Sequence, residues 1–140
     1  MIALLDTDVL IDVALGRDPH AGPASALLDL FEGRPGSACI AWHSVANFYY
    51  MVAPARGRAD ARAFLLDLTR FVEVAPASTA SVRLAAGLPL KDFEDALQVA
   101  AALACGAEVI ATRNVRDYAR GPVRAATPTA LLKEVERDSR

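Results

Sequence analysis

The apolar residues of the chain fall into two kinds of segment that alternate along it. Short continuous runs, which are typical of strands buried on both faces, span residues 2–5, 37–41, 71–74 and 108–111, with a weaker run at 123–125. Between them, apolar residues recur with helical spacing over 24–31, 43–52, 58–70, 78–86 and 93–105, with a short segment from Thr7 and a last one from Thr127. This alternation predicts an α/β fold in which helices flank a short parallel sheet of four to five strands.

Glycine and proline positions set the expected ends of these helices. Gly33 and Gly106 follow apolar-periodic segments and are expected to end them, and Pro54 is expected to stop the helix that begins at His43. We find no internal repeat, linker or low-complexity tract, and the length suits one domain over residues 1–140.

Polar residues follow the first and fourth apolar runs directly. Asp6 comes after the first run, and Asn114 and Asp117 come soon after the fourth. Ligands of parallel α/β sheets bind beyond the carboxyl ends of the strands, where these residues would meet. The sequence therefore predicts a site at this edge of the sheet.

Two predicted helices carry further polar pairs, Ser44 with Asn47 and Asp92 with Asp95, each spaced to lie on one helical face. Clustered carboxylates repel one another and raise one another's pKa values, and a divalent ion relieves that repulsion. Carboxylate and amide oxygens are the ligands that Mg²⁺ and Mn²⁺ prefer. Such an ion can activate water and stabilise charge on a phosphoryl oxygen, so we predict metal-dependent phosphodiester hydrolysis.

Several of these polar residues also have simpler interpretations. Asp92 is equally explained as a helix N-cap, and Asp8 as either a cap or a residue that supports the site. Asp12 is interpreted as a solvated helix residue, and His43 as a surface or capping residue. An interior amide bonded to backbone would explain Asn47. The aromatic residues are interpreted as core or interface rather than base-stacking residues, namely Trp42, Phe48, Tyr49 and Tyr50.

The net charge of −2 argues against a protein that coats nucleic acid, because such proteins are usually basic. It leaves room for a local basic groove. Arg113 and Arg116 flank the predicted site and are interpreted either as solvated surface or as contacts to RNA phosphates.

The cysteines and the hydropathy pattern bear on location. Cys39 and Cys105 lie in apolar contexts and are expected to be buried, reduced thiols, which fits a cytoplasmic protein. The amino terminus does not resemble a secretory signal. No run approaches the ~18 apolar residues of a membrane helix, so we expect no membrane association.

Three segments together resemble the PIN-domain family, especially its VapC-like toxin ribonucleases, over nearly the whole chain. They are "LLDTDVLID", "DALQVAAAL" and "VIATRNVRDY", in that order. The resemblance implies a three-layer fold, and an endoribonuclease whose catalytic residues are Asp6, Asp95 and Asp117. It implies a metal ion, Mg²⁺ or Mn²⁺, held by Asp6 and Asp95. The supporting residues would be Asp8, Asn47, Asp92 and Asn114.

The chain departs from the family pattern at two positions. Asn47 stands where many members carry Glu, and Asn114 where many carry Asp. Because Asn is a neutral ligand, the site would hold less negative charge, which favours one bound ion over two. The resemblance further implies an RNA substrate, a homodimer, and a small antitoxin that inserts into the active-site groove.

Two other functions fit parts of the sequence. "LLDTDVL" also looks like the opening of haloacid-dehalogenase-type phosphatases, with Asp6 as nucleophile and Asp8 as acid/base. Those enzymes need a downstream Lys and a late Gly-Asp pair, whereas this chain offers only Lys91 and Lys133 and has no later Gly-Asp. Alternatively, the two Asn substitutions mark a catalytically impaired protein that only binds RNA or an antitoxin.

Overall fold

A computed structural model describes residues 1–138, and its elements alternate much as the pattern predicts. In chain order they are β1 (Ala3–Leu5), α1 (Thr7–Leu15), α2 (Ala21–Glu32), β2 (Ala38–Ile40), α3 (Trp42–Arg56), α4 (Arg58–Leu68), β3 (Val72–Val74), α5 (Thr79–Ala86), α6 (Phe93–Cys105), β4 (Val109–Ala111), a 3-10 turn (Val115–Tyr118), β5 (Arg124–Ala126) and α7 (Pro128–Asp138). The predicted α/β class is confirmed.

The five strands form one parallel sheet in the order β3-β2-β1-β4-β5. The central strand is β1, where Leu4 lies opposite Cys39 of β2 and Ile110 of β4. Strands β2 and β3 lie on one side of β1, and strands β4 and β5 lie on the other side. A crevice therefore opens beyond the carboxyl ends of β1 and β4, which is where parallel sheets bind ligands.

The strand residues alternate between two apolar layers, as the pleat of a strand requires. Ala3 and Leu5 pack with residues of α1, α2, α3, α4 and α7, whereas Leu4 packs with residues of α6 and with Tyr118 on the opposite face. Burying a side chain such as Leu4 stabilises the fold by about 1.5–3 kcal/mol. The sheet thus lies between two helical layers, and its end residues are held rigidly.

The predicted stop of the third helix at Pro54 is wrong. The helix runs from Trp42 to Arg56 with Pro54 inside it, and it ends at Gly57, whose φ is +91°. A proline removes one backbone donor from a helix but does not have to end it, whereas a left-handed backbone does. The added turn lets Arg56 donate to the carbonyl of Ala14, which ties this helix to α1 (2.7 Å).

The prediction of two reduced thiols is also wrong. Cys39 of β2 and Cys105 at the end of α6 are joined by a disulfide. Spacing could not reveal this pairing, because the parallel sheet brings together residues 66 positions apart. The thiol argument for a cytoplasmic location therefore no longer holds.

Candidate active site

The crevice at the carboxyl ends of β1 and β4 holds a cavity of about 520 Å³, which we call the acid cleft. It is lined by Asp6, Thr7, Asp8, Ile11, Arg17, Asn47, Tyr50, Met51, Asp92, Glu94, Asp95, Asn114 and Asp117. All seven acids and amides that the sequence analysis assigned to the site are among these residues. The predicted convergence of four distant segments at one edge of the sheet is thus observed.

Asp6 is the most firmly held carboxylate of the acid cleft. It follows β1, begins α1 as its N-cap and is only 7% exposed. Its Oδ2 accepts hydrogen bonds from Thr112 (2.9 Å) and Tyr118 (2.8 Å), and its Oδ1 lies 3.4 Å from the Gln98 amide. Donors from three elements therefore compensate the burial of this carboxylate.

Tyr118 connects the two acids expected to matter most. Its side chain is 1% exposed, and its hydroxyl lies 2.8 Å from Asp6 Oδ2 and 3.2 Å from Asp95 Oδ1. Burial, and then the negative charge of Asp6, raises the pKa of Tyr118 well above 10, so the hydroxyl stays protonated. Sequence reasoning missed this residue, since a tyrosine after a predicted acid looks the same as a core tyrosine.

Asp95 lies in the first turn of α6, three residues after the N-cap of that helix. Asp92 is the N-cap and accepts a hydrogen bond from the Asp95 backbone N–H (3.1 Å), so the capping interpretation of Asp92 is confirmed. Burial, followed by the charges of Asp92 and Asp6, raises the pKa of Asp95 to about 6. A carboxyl group that is costly to ionise beside other acids gains by binding a cation.

Asp8 does not cap a helix, and its carboxylate faces the residues that follow β4. Its Oδ2 lies within hydrogen-bond range of the Arg113 backbone N–H (3.3 Å), the Asn114 amide (3.2 Å) and the Thr112 hydroxyl (3.4 Å). Its Oδ1 is buried without a hydrogen-bond partner in residues 1–138. Burial, and then the Asp6 charge, raises the pKa of Asp8 to about 7.

Asn47 donates from its amide nitrogen to Glu94 Oε1 (3.0 Å), so the expected bond to backbone is not what holds it. Glu94 is an acid of the acid cleft that the sequence analysis did not select. It lies beside Asp95 at the start of α6, where an acid is readily explained by the helix dipole. The carboxylate missing at position 47 is therefore supplied from across the cleft.

A buried polar network lies behind Asp6. Gln98 is 0% exposed, and its amide nitrogen is 2.9 Å from Ser44 Oγ and 3.1 Å from Thr7 Oγ1. Thr7 also donates to Ser44 (2.8 Å). The network joins α1, α3 and α6 under the acid cleft. Its sequence signal was a glutamine one turn after Asp95 on an otherwise apolar helix.

The prediction that Asp12 is solvated is wrong, because it is 1% exposed. Its Oδ1 accepts from Arg17 Nε (2.9 Å) and its Oδ2 from Arg113 Nε (2.7 Å). The cause is the turn after α1, which brings Arg17 back beside Asp12. Arg113 does not line the acid cleft, so its RNA contact stays a prediction that this geometry does not favour.

A second cavity, of about 370 Å³, adjoins the acid cleft and shares Asp92, Asp95 and Asp117 with it. We call it the basic groove, because three cations also line it, namely Lys91, Arg116 and Arg120. Arg116 thus lies where the sequence analysis placed it, beside the acids. Tyr50, interpreted as core or interface, is 75% exposed and lines the acid cleft.

The donor set decides what kind of cation could bind. Within positions 1–138, no group of three or more His, Cys, Asp or Glu residues is arranged so that it could hold a metal ion. Asp6 and Asp95 do share one hydroxyl and one cleft, and Asp8 presents a buried oxygen without a partner. Mg²⁺ is usually bound by one or two carboxylates and keeps several waters, so these residues fit a partly hydrated hard cation.

A family model described as "PIN domain" matches residues 3–116. The chain belongs to the PIN-domain family. The match covers β1 through the 3-10 turn up to Arg116, and so includes the segments that carry Asp6, Asp95 and Asn114. Membership rules out the phosphatase interpretation of "LLDTDVL", which requires a different family.

Solved structures show the same fold in toxin–antitoxin proteins. The PIN domain resembles VapBC2 of Rickettsia felis bound to a promoter DNA fragment (TM-score 0.69, 16% identity, 91% of this chain and 98% of that chain). It also resembles a toxin–antitoxin complex from Klebsiella pneumoniae (TM-score 0.67, 23% identity, 90% and 97%). A third is VapC20 of Mycobacterium tuberculosis, a sarcin-ricin-loop-cleaving toxin (TM-score 0.61, 16% identity, 77% and 86%).

These identities support a shared fold. No curated protein sequence matches the sequence of this chain significantly. Within residues 1–138, no helix is both long and apolar enough to cross a membrane.

Proposed function

We propose that this PIN domain is a metal-dependent endoribonuclease and the toxin of a type II toxin–antitoxin pair. The observation that carries the proposal is the pairing of Asp6 with Asp95 through the Tyr118 hydroxyl in an open cleft. Two acids this close in an open cleft, one of them (Asp95) with a raised pKa, are typical of catalytic sites. The predicted second acid thus lies beside the first although 89 positions separate them in the chain.

Asp6 and Asp95 would hold one Mg²⁺ or Mn²⁺ ion. When bound, the ion supplies an activated water and stabilises negative charge on the phosphoryl oxygen. Glu94 adds a carboxylate that offsets the neutral Asn47, which supports an active rather than an impaired site. One ion remains our expectation, because Asn114 donates its amide to Asp8.

The other polar residues orient groups and hold protons. Tyr118 stays protonated, and its hydroxyl lies within hydrogen-bond distance of both acids, closer to Asp6 (2.8 Å) than to Asp95 (3.2 Å). Asp8 fixes Asn114 and the backbone of Arg113 beside the cleft. Asp117 is exposed at the mouth of both cavities, where it can orient the attacking water and accept its proton.

Two features favour single-stranded RNA as the substrate. Tyr50 and Met51 present exposed apolar surface within the acid cleft, which suits stacking of an unpaired base. The basic groove provides Lys91, Arg116 and Arg120 for backbone phosphates directly beside the acids. A nucleic acid could therefore be held on both sides of the point of cleavage.

The proposed partners follow from the relatives of similar fold. Several are toxin–antitoxin complexes, so we propose a small antitoxin that inserts into the acid cleft and blocks it. A homodimer and a cytoplasmic location belong to the same proposal. Light scattering of the purified protein, alone and after co-expression with the product of an adjacent small gene, tests both assemblies.

Cleavage of RNA tests the proposed function directly. Wild type should cut a mixed single-stranded RNA with Mn²⁺ and not with EDTA, and Asp6→Asn and Asp95→Asn should each lose cleavage and calorimetric Mn²⁺ binding. Asp29→Asn, an exposed change on α2 outside the acid cleft, serves as the matched control and should behave as wild type. Equal cleavage by all four proteins would contradict the proposal. A folded wild-type protein that binds RNA, but does not bind Mn²⁺ and does not cut RNA, would support the alternative of a catalytically impaired protein.

A further inference from the structure

The acid cleft has an electrostatic problem that a bound cation alone does not solve. Six carboxylates line it, from Asp6, Asp8, Asp92, Glu94, Asp95 and Asp117. Even with some of them protonated and one divalent ion present, a phosphodiester would meet net negative charge. A cation of the protein must therefore face the substrate inside the cleft.

Arg17 is the only basic residue that lines the acid cleft, among the residues that the structure describes. Its Nε donates to Asp12 Oδ1 at 2.9 Å. The structure records no hydrogen bond from its two Nη groups within residues 1–138. These two groups form the end of the guanidinium that suits the oxygens of a phosphate.

The placement of Arg17 is fixed by a buried carboxylate. Asp12 is 1% exposed, and its second oxygen is occupied by Arg113, so one carboxylate faces two guanidinium groups. Two positive charges share one negative charge, which leaves a net positive charge beside the cleft. Burying an acid together with two arginines costs desolvation energy, which an exposed carboxylate on the helix surface would not incur.

The backbone fixes Arg17 as well. Gly16 adopts a left-handed conformation at the end of α1 (φ +61°), which turns the chain back. The Arg17 N–H then donates to the Asp12 carbonyl (3.1 Å), and the Arg17 carbonyl accepts from His20 (2.9 Å) and Ala21 (2.8 Å). A preorganised side chain loses little conformational entropy on binding.

We propose that Arg17 binds a phosphate of the RNA strand inside the acid cleft, and that Asp12 is the positioning residue that holds Arg17 there. This inference rests on the proposed nuclease function. It assigns one phosphate to the Arg17 side of the acids, with the basic groove on the other side. Arg17 binds substrate in this scheme and does not hold the metal ion.

Binding and cleavage are measured separately to test this. RNA affinity is titrated with a labelled single-stranded RNA at several salt concentrations, in an Asp6→Asn background that does not cleave. Arg17→Gln should weaken binding on the order of tenfold. It should also reduce the steepness of log K against log salt by about 0.7, the value for one phosphate contact to a single strand.

Two variants separate a phosphate contact from a structural role. Arg17→Lys keeps the positive charge but loses the paired Nη donors of the guanidinium. The salt dependence should therefore stay as in wild type, while the RNA affinity should lie between those of wild type and Arg17→Gln. Arg58→Gln, an exposed arginine of α4 outside both cavities, should leave affinity and salt dependence unchanged. In the cleaving protein, Arg17→Gln should raise KM and leave kcat within a few fold, with unchanged Mn²⁺ binding.

The outcomes distinguish this proposal from the proposed function. An unchanged salt dependence in Arg17→Gln, with wild type cleaving and Asp6→Asn inactive, overturns the role of Arg17 alone. An Arg17-dependent salt response in a wild type that never cleaves overturns the nuclease and keeps the phosphate site. Wild type that does not bind RNA at all overturns both. If Arg17→Gln does not fold, Arg17→Lys decides: a raised KM supports the site and an unchanged KM overturns it.

Discussion

The hydroxyl of Tyr118 lies 2.8 Å from Oδ2 of Asp6, across 112 positions of sequence, and Asp6 also accepts the hydroxyl of Thr112 at the same oxygen. A carboxylate that receives two hydroxyl protons on one oxygen is held in one orientation. Its other oxygen has only the long contact to Gln98 (3.4 Å). Asp6 Oδ1 therefore keeps more of its capacity to accept a further ligand than Oδ2 does.

Tyr118→Phe should weaken the active site more than the fold. The change removes the hydroxyl that contacts both Asp6 and Asp95, so the two acids face each other without this polar group between them. The free energy of unfolding without metal should fall by about 1–3 kcal/mol, and cleavage should fall on the order of tenfold. Chemical denaturation and single-turnover cleavage measure these two effects.

Mn²⁺ provides the control for Tyr118→Phe, since a bound cation replaces the missing proton. The stability difference between variant and wild type should shrink in saturating Mn²⁺. A difference that is the same with and without Mn²⁺ would show that the hydroxyl contributes to stability independently of the metal site.

Gln98→Met should destabilise the PIN domain with little change in volume. The substitution leaves the hydrogen bond between the Thr7 and Ser44 hydroxyls in place. It removes the Gln98 amide nitrogen that lies within hydrogen-bond distance of both hydroxyls and of Asp6. We expect a loss of about 1–3 kcal/mol in urea denaturation. Equal stability of variant and wild type, with an unchanged denaturant slope, would show that the hydrogen bonds of Gln98 make no net contribution to the free energy of unfolding.

Asp8→Asn should change how stability depends on pH. The pKa of Asp8 is raised from 3.8 to about 7, so the folded state holds this proton more tightly than the unfolded state. Its contribution is fully present below about pH 4 and is lost as pH rises through about 7. Asn resembles the protonated acid, so the variant should escape this loss.

The expected result is that metal-free Asp8→Asn exceeds wild type in stability at about pH 8 and not at about pH 4. Urea denaturation in EDTA at both pH values measures the difference. A variant that is less stable than wild type at the higher pH would indicate that the ionised Asp8 carboxylate stabilises the folded protein, which contradicts a raised pKa.

Asp12→Ala should cost more stability than an ordinary surface substitution. It leaves Arg17 and Arg113 without their shared carboxylate, although both arginines are partly exposed and keep some hydration. We expect a loss of about 2 kcal/mol, measured by thermal or urea unfolding. A change near zero would restore the solvated interpretation of Asp12.

Hydrophobic pattern predicted the sheet and the place of Asp6, because both depend on local runs and on the geometry of parallel strands. Asp117 could be found for the same reason, because it follows the fourth run, whereas Asp95 was found from its helical spacing with Asp92 and from the resemblance to the PIN-domain family. Tyr118 and Gln98 could not, since a polar group on an apolar helix face gives no sign of its partner. Asp12 was misjudged because its arginines come from the next turn and from beyond β4.

The contacts of Asp6 also set when its surroundings can be completed during synthesis. Its donors lie 92, 106 and 112 positions later in the chain, at Gln98, Thr112 and Tyr118. A ribosome-bound chain that has not yet released Tyr118 lacks the residue that joins the two acids. The surroundings of Asp6 are thus completed only after Tyr118 has been synthesised and folded into place, so a chain that stopped before Tyr118 would lack the hydroxyl that contacts both acids.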